Sequence, residues 1–281
     1  MSNIKIICDS LSDVNKDYLE QYDIDVVPLT VILDGKEYRD GIDIKPEEFY
    51  KILREQNVHP KTSQATYAQF KEIFDKYTNE GKTVLYLSGS SAATGTCQSA
   101  IMAKNDSEGD IHIYDTYNLT FGAGIFVVKA AELINEGKSI EEVFEELDKL
   151  KEKFILMFTV DTLEYLQKGG RISSTKAAVG SILNIKPILE VKDGLVSQAG
   201  QVRGKKNAIN KMVDLIKEKL GNDIEQDEVY IGYSDDLKEK EKLTQIVTEV
   251  FKPKKIEYFI VGTCIGAHSG PGVSGILCFK K

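Results

Sequence analysis

The first half of the chain alternates apolar or β-branched runs with segments that have helix signals. The runs lie at Ile4–Cys8, Ile24–Leu33, Thr83–Leu87 and Ile111–Tyr114. Between them, the helix signals are Pro46 before two acids, the capping boxes that begin at Thr66 and Ser139, and the apolar segment Phe121–Asn135. Strands that alternate with helices predict a mostly parallel sheet with helices on both faces.

The pattern changes after residue 150. Phe154–Val160 predicts a strand, and the runs Ile185–Val191 and Leu195–Val202, joined by Asp193-Gly194, predict a hairpin. Helix and strand patterns then alternate through Lys205–Leu220, Glu228–Tyr233, Asp236–Phe251 and Ile256–Val261. We therefore predict an α/β protein of two domains: residues 1–150 with a mostly parallel α/β/α sheet, and residues 151–281 with a mixed sheet.

Composition narrows the function classes. The 281 residues, 42% hydrophobic and 28% charged, are typical of a globular protein, and a net charge of −8 argues against a nucleic-acid binder. No apolar run approaches the roughly 18 residues of a membrane span, and the N-terminus lacks a secretory pattern. The four cysteines show no C-x-x-C spacing. We expect a cytoplasmic protein with reduced cysteines, without a metal site or an integral membrane segment.

Several catalytic or nucleotide-binding motifs match only in part. Gly270, Gly272 and Gly275 have the dinucleotide-binding spacing, but too little chain follows for a crossover unit. Gly81-Lys82-Thr83 and Gly137-Lys138-Ser139 resemble the end of a P-loop without its first glycine. The chain contains no G-x-S-x-G elbow. These mismatches argue against ATP binding and against serine-hydrolase chemistry.

Five segments rich in hydroxyl groups and glycine are scattered along the chain: CDSLSD (8–13), KTSQ (61–64), SGSSAATGTCQSA (88–100), KGGRIS (168–173) and GAHSGPG (266–272). Together they supply hydroxyls, free backbone N–H groups, one histidine and one arginine, which suit a carboxylate or phosphate. None contains an evident nucleophile with its base. The set predicts a protein that holds an anionic ligand and does not transform it.

Each of these residues also has a purely structural interpretation. Thr94 and Gly95 lie where a buried strand leads into a helix N-terminus, an arrangement that suits an anion. Thr62 and Ser63 precede the helix capped at Thr66, where a turn with capping hydroxyls is the simpler explanation of these two residues taken alone. His268 lies in a predicted loop among glycines, which admit a close ligand. His59 and His112 are expected to be ordinary exposed or half-exposed residues.

Basic residues form two further candidates. Arg171 follows two glycines in a predicted loop. Arg203, Lys205 and Lys206 form a small basic cluster, which is either a solvated face or a surface that steers an acidic partner. The sequence leaves both interpretations of this cluster open.

Taken in order, these segments resemble the DegV family of bacterial fatty-acid-binding proteins, which includes the FakB-type subunits of fatty acid kinase. The resemblance runs through essentially the whole chain. Its pieces are Asp9-Ser10 with Asp13, Val27-Pro28-Leu29, Thr62-Ser63-Gln64, Thr94-Gly95-Thr96 with Gln98-Ser99-Ala100, 161–166 (DTLEYL), Gly169-Gly170-Arg171-Ile172-Ser173, Lys186-Pro187-Ile188-Leu189, and His268 with Gly270-Pro271-Gly272.

The resemblance implies two α/β domains and a palmitate-like fatty acid whose tail fills an apolar tunnel. It implies that Thr62 and Thr94 hold the carboxylate with His268 close by; Ser63, Gly95, Ser10 and Arg171 are expected as further neighbours. It also implies a non-enzymatic carrier in lipid transport or fatty acid metabolism. No cofactor is expected besides the bound lipid, which a separate ATP-dependent kinase subunit would phosphorylate.

Two segments depart from the family's usual pattern, and one alternative function remains. Ala93-Thr94-Gly95-Thr96-Cys97 stands where the family usually has Leu-Ser-Gly-Thr-Tyr, and His268-Ser269 replaces a more usual His-Thr. The alternative function is a hydrolase or phosphotransferase that uses a hydroxyl and His268 on a small phosphorylated or acyl substrate.

Overall fold

A computed structural model describes residues 3–56, 58–172 and 185–280; Ser173 of the KGGRIS segment lies outside these ranges. The strands are β1 (Ile4–Asp9), β2 (Asp25–Val27), β3 (Thr30–Leu33), β4 (Lys36–Arg39), β5 (Lys61–Ser63), β6 (Thr83–Ser88), β7 (Ile111–Asp115), β8 (Phe154–Thr159), β9 (Ile185–Lys192), β10 (Leu195–Arg203), β11 (Glu228–Tyr233), β12 (Lys255–Ile260) and β13 (Ser274–Phe279). The helices are α1 (Lys16–Gln21), α2 (Pro46–Glu55), α3 (Tyr67–Asn79), α4 (Thr96–Asn105), α5 (Phe121–Asn135), α6 (Ile140–Lys153), α7 (Glu164–Gly169), α8 (Lys205–Leu220), α9 (Leu237–Phe251) and α10 (Thr263–Ser269), with a 3₁₀ turn at Ser10–Ser12.

The described strands form three sheets. Sheet one has the order β2-β1-β6-β7 with every pair parallel. Sheet two has the order β10-β9-β8-β13-β11-β12 and is mixed, because its only parallel pair is β11 with β12. The predicted fold class, a parallel sheet followed by a mixed sheet, is confirmed. A small antiparallel sheet, β4-β3-β5, is an addition that the sequence did not predict.

Helix α5 lies between the two large sheets and packs against both. Phe126, Val127 and other residues of α5 pack against Ile6 and Leu85 of sheet one. Phe121 and Ile125 of the same helix pack against Leu156, Tyr230 and Leu277 of sheet two. A mostly apolar helix must bury most of its surface, and α5 is accordingly covered by both sheets, while its half-buried Lys129 and Glu132 form an ion pair. The predicted domain boundary at residue 150 stays a prediction.

Helices cover the outer faces of both sheets. On sheet one, Phe70 and Phe74 of α3 pack on Val84 and Tyr86. On sheet two, α8 and α9 cover the face away from α5, through residues such as Met212 and Phe251. The result is a layered order of helices, sheet one, α5, sheet two and helices. None of the helices in residues 3–56, 58–172 and 185–280 has the length and apolar character needed to cross a bilayer.

The local signals agree with the structure at most positions. Thr66 and Ser139 form complete capping boxes, and Pro46 occupies the first position of α2. The β-rich stretch 24–33 is the main difference, because it forms two strands in different sheets. Pro28 lies between them and lacks the N–H that a continuous strand needs.

Candidate functional site

A cavity of about 340 Å³ lies between the two large sheets, at the N-terminal end of α5. Leu11, Thr94 and Leu119 line it from the loops that follow β1, β6 and β7. Ligands of open parallel sheets bind at this edge, where strands end. Phe158, Val191 and other residues of sheet two close the opposite side. The volume lies within the range of small-molecule sites.

Most of the cavity wall is apolar. The apolar side chains come from the loops at the edge of sheet one, from the start of α5, from sheet two and from α10, and they include Leu11, Phe121, Leu156, Val191, Val196 and Ile265. A wall of this kind accepts an alkyl chain and offers water few partners. The polar lining groups include Thr62, Ser63, Thr94, Arg171 and His268. The cavity is therefore amphipathic, with an apolar body and a cluster of polar groups.

The central polar contact joins Thr62 to His268. Pairing of Thr62 with Val31 places its strand, β5, at the edge of the small sheet. His268 lies in the last turn of α10, and its Nε2 is 2.7 Å from Thr62 Oγ1. We expected Thr62 in a turn and His268 in a loop; both lie in regular elements. Regular elements hold side chains in a more defined geometry than loops do.

The ring of His268 is uncharged at neutral pH. Burial, followed by the nearby charge of Arg171, lowers its pKa to about 4. Its Nδ1 is buried and has no hydrogen-bond partner among the described residues. A Cβ on Gly169 would lie 2.2 Å from this nitrogen, so only glycine fits beside the ring. The ring thus interacts through Nε2, which faces Thr62.

The lowered pKa of His268 predicts a pH dependence of stability. The unfolded chain takes up this proton as the pH falls below 6.5, whereas the folded chain takes it up only near pH 4. The contribution of the neutral His268 ring to the free energy of unfolding is therefore fully present above pH 6.5 and is lost as the pH falls towards 4. Between pH 6.5 and pH 4, the free energy of unfolding of the wild type should fall by about 2 kcal/mol more than that of His268→Gln. This difference is smaller than the full pKa shift would give, because the His268 ring keeps some solvent contact.

Urea denaturation of the wild type and the variant across this pH range measures the effect. Asp9, whose pKa burial raises to about 6, titrates in the same window with the opposite sign, but it is present in both proteins and cancels in the difference. His112→Gln, a change at a half-buried histidine of β7, is the matched control. Parallel stability curves for the wild type and His268→Gln would contradict the assignment.

The loop after β6 places Thr94 at the start of α4, as the sequence predicts. Thr94 Oγ1 lies 2.9 Å from Thr96 Oγ1 and accepts a hydrogen bond from the Thr96 N–H at 3.3 Å. Gly95 precedes the helix, and a Cβ there would lie 2.0 Å from the side-chain oxygen of Gln64. Gln64 in turn donates to Ser99 at 3.0 Å. The absence of a side chain at position 95 therefore lets β5 and α4 approach each other.

Six of the seven candidate ligand residues line the cavity: Thr62, Ser63, Thr94, Gly95, Arg171 and His268. Ser10 is not among the lining residues. Its hydroxyl instead accepts a hydrogen bond from the Leu29 N–H at 3.0 Å. Ser10 therefore connects loops behind the cavity wall. The ligand contacts of the other six residues stay predictions.

One buried and one half-buried carboxylate support α10, a feature that the sequence analysis missed. Asp40 Oδ1 accepts a hydrogen bond from the Thr263 hydroxyl at 2.5 Å, whereas its buried Oδ2 has no hydrogen-bond partner among the described residues. Asp13 accepts a hydrogen bond from Thr120 Oγ1 at 2.6 Å and lies against Gly262, where a Cβ would be 2.1 Å from Asp13 Oδ1. Both acids thus lie at the N-terminus of the helix that carries His268. In the sequence, Asp13 and Asp40 are isolated acids in predicted loops, and such acids usually indicate turns.

The predicted basic cluster of Arg203, Lys205 and Lys206 is only partly available to a partner. Lys205 Nζ lies 3.0 Å from Asp161 and 3.3 Å from Asp236, so its charge is largely used within the protein. Arg203 and Lys206 are exposed. An ion-paired lysine has less to offer a docking partner, because the internal pair must first be broken.

Comparison with known proteins agrees with this architecture. The family model described as "Uncharacterised protein, DegV family" matches residues 3–281. A DegV domain-containing protein from Caldanaerobacter subterraneus is 38% identical over 285 residues, and the alignment covers 100% of both chains.

Solved structures with the same fold include two proteins named for fatty acid binding. A fatty-acid-binding DegV family protein from Thermus thermophilus superposes with a TM-score of 0.90 at 33% identity, covering 99% of both chains. DegV from Bacillus subtilis, a fatty acid binding protein, superposes with a TM-score of 0.86 at 30% identity, covering 100% of both chains. The full-length family match, the curated relative and these folds lead to one conclusion: the chain belongs to the DegV family.

Proposed function

We propose that this protein binds a long-chain fatty acid, with the alkyl tail in the apolar body of the cavity and the carboxylate at Thr62, Thr94 and His268. The observation that carries the proposal is the amphipathic cavity, whose polar residues include the Thr62–His268 pair. The fatty acid binding named for the Thermus thermophilus and Bacillus subtilis relatives supports it.

The apolar tail supplies most of the binding free energy in this proposal. About a dozen buried methylenes contribute about 0.8 kcal/mol each before the entropic cost of binding. A ligand of this shape matches a cavity walled by Leu11, Phe121, Leu156 and Val196. The polar groups then set the orientation of the head group and disfavour ligands that have no polar head group.

The head group requires donors because a desolvated carboxylate without hydrogen bonds is costly. The hydroxyls of Thr62 and Thr94 can each donate one, and the Nε2 position of His268 can donate when it carries the proton. Arg171 lines the same cavity and supplies the positive charge. A bound carboxylate also raises the pKa of the His268 ring above its unliganded value, because opposite charges favour the protonated form.

Mass spectrometry of gently purified protein tests the proposal. The wild-type chain should carry endogenous fatty acid that organic extraction releases, because slow dissociation follows from a large buried tail. Delipidated protein should regain a higher melting temperature when palmitate is added, since a ligand that binds only the folded state stabilises it. Lipid-free spectra together with an unchanged melting temperature would contradict fatty acid binding.

The proposed cellular role is that of a carrier that presents the lipid to a separate ATP-dependent kinase. In that reaction a carboxylate oxygen would attack the γ-phosphorus of ATP held by the kinase, and ADP would leave. The chain itself contributes binding and orientation, and the proposal needs no cofactor besides the lipid. Acyl phosphate should form from ATP and bound palmitate only when such a kinase is added.

One observation favours the alternative, an enzyme with Thr62 as nucleophile and His268 as base. Their atoms lie 2.7 Å apart, within the distance that such a pair needs. The third group of a triad would accept a hydrogen bond from Nδ1, and Nδ1 has no partner among the described residues. Hydrolysis of acyl phosphate by the chain alone, abolished by His268→Ala, would favour the enzyme over the carrier.

A further inference from the structure

Helix α10 is held at both of its ends by the segment that forms the small sheet β4-β3-β5. At the N-terminal end, the Thr263 hydroxyl donates to Asp40 Oδ1 at 2.5 Å, and Asp40 directly follows β4. At the C-terminal end, His268 Nε2 lies 2.7 Å from Thr62 Oγ1, and Thr62 belongs to β5. The small sheet therefore fixes both the start of the helix and the side chain of its histidine.

The dimensions of the small sheet and of the helix match. Thr30 of β3 pairs with Arg39 of β4 on one side and with Ser63 of β5 on the other. Asp40 and Thr62 are the chain neighbours of these two residues, so they lie on opposite sides of β3. Two strands that flank a third lie about 9.5 Å apart, and a helix of seven residues is about 10 Å long. The length of α10 therefore matches the width of the sheet between the two attachment points.

A helix as short as α10 depends on such attachments. Isolated helices of fewer than about 12–15 residues are marginal in water, and α10 has seven. Its N-cap is Gly262, which has no side chain to cap the helix. A further contact holds α10 against α2, because a Cβ on Gly266 would lie 2.6 Å from the Tyr50 hydroxyl, which itself donates to the Val261 carbonyl at 2.9 Å. Tertiary contacts therefore set the position of His268.

The contact between Asp40 and Thr263 is buried and lies outside the cavity. Asp40 is 4% exposed and Thr263 is 0% exposed. A hydrogen bond is strengthened in such a setting, because the local dielectric constant is low. Neither residue is among those that line the cavity. An effect of this pair on a head group in the cavity must therefore pass through α10.

We propose that Asp40 and Thr263 are positioning residues, which hold α10 so that His268 meets the carboxylate of the bound fatty acid. The inference rests on the proposed function, because it takes the carboxylate to lie at Thr62 and His268. Loss of the Thr263 hydroxyl frees the N-terminal end of α10. A hydrogen bond of about 2.9 Å is lost once the two atoms are about 3.6 Å apart, so a displacement of the ring by less than about 1 Å is enough to break it.

The test compares palmitate with methyl palmitate on delipidated Thr263→Val, which keeps the shape of the side chain and removes its hydroxyl. Palmitate should bind about tenfold more weakly than to the wild type. Methyl palmitate should lose no more than about threefold, since a hydrogen bond between neutral groups contributes less. Thr263→Ser restores the hydroxyl and should bind palmitate as the wild type does. If the valine variant does not fold, Thr263→Ala removes the same hydroxyl with a residue that favours helices, and the same result is expected.

Titration of the His268 ring by NMR gives a second readout, which a general loss of stability would not change. In the wild type, burial and the charge of Arg171 lower the pKa of this ring to about 4. In Thr263→Val the ring should gain contact with solvent, and its pKa should rise towards the ordinary value of 6.5. Thr263→Ser should titrate like the wild type.

Thr159→Val is the matched control. Thr159 is also buried, its hydroxyl donates to the Pro187 carbonyl at 2.8 Å, and it lies on β8, outside the cavity lining. The same exchange there should lower the melting temperature, because it too removes a buried hydrogen bond. It should leave the affinities for palmitate and methyl palmitate, and the pKa of His268, as they are in the wild type.

The outcomes separate the inference from the function on which it rests. If the wild type binds palmitate and Thr263→Val binds it equally well, the pair does not position the head-group site. Equal losses for palmitate and its methyl ester, with an unchanged pKa of His268, would also contradict the inference. If palmitate does not bind the wild type, the proposed function fails and the inference fails with it.

Discussion

Replacing Thr62 by valine should weaken palmitate binding about hundredfold. Valine keeps the shape of threonine but lacks the hydroxyl, which lies 2.7 Å from His268 Nε2. The variant removes a donor to a buried carboxylate, and hydrogen bonds to charged groups are worth about 1.5–3 kcal/mol. It also leaves His268 without its partner. Isothermal titration of delipidated protein measures the loss.

Methyl palmitate is the matched ligand for this experiment, because it keeps the tail and removes the charge. Its affinity should fall by no more than about tenfold in Thr62→Val, since a hydrogen bond between neutral groups contributes less. Thr248→Val is the matched variant: the same exchange on the exposed surface of α9, outside the cavity. Equal losses for palmitate and its methyl ester would show that Thr62 does not recognise the carboxylate.

The second large effect concerns the length of the alkyl chain. Laurate has four methylenes fewer than palmitate, and each buried methylene contributes about 0.8 kcal/mol. Laurate should therefore bind more weakly by about 3 kcal/mol, which is more than about a hundredfold in affinity. Titration of laurate, myristate and palmitate under identical conditions gives the increment per methylene. Equal affinities across the series would mean that the tail does not enter the cavity.

A variant of the cavity wall adds a control for this series. Val191→Trp adds volume at a half-buried position of the lining and should weaken palmitate more than laurate. Val250→Trp makes the same exchange at a half-buried position of α9 outside the lining and should leave the series unchanged. A uniform loss for all three fatty acids in Val191→Trp would indicate general damage to the fold.

Local sequence signals predicted most of the secondary structure. The capping boxes at Thr66 and Ser139 place hydroxyls on backbone N–H groups within one helical turn, so their effect does not depend on distant residues. The segment Phe121–Asn135 is apolar except for Lys129, Glu132 and Asn135, and such a helix must bury most of its surface. The sequence could not show that two sheets from different halves of the chain would both pack against α5.

Other features depended on pairing between distant segments. The strand β5 has only three residues and exists because β3 pairs with it, so Thr62 resembled a residue in a turn. Asp13 and Asp40 lie against the N-terminus of α10 across more than two hundred residues of chain, and no local pattern marks such a contact.

The sequence by itself determined the α/β class and most of the helices and strands, and it supplied the residue types of the proposed anion-binding site, because propensity, capping and hydrophobic period act over a few neighbouring residues. Only the tertiary structure decided which hydroxyls face the cavity. It brought Thr62 and His268 together across 206 positions, and it left Ser10 behind the cavity wall. The physical reason is that a binding site requires distances between elements, and those distances are set by how the sheets and α5 pack.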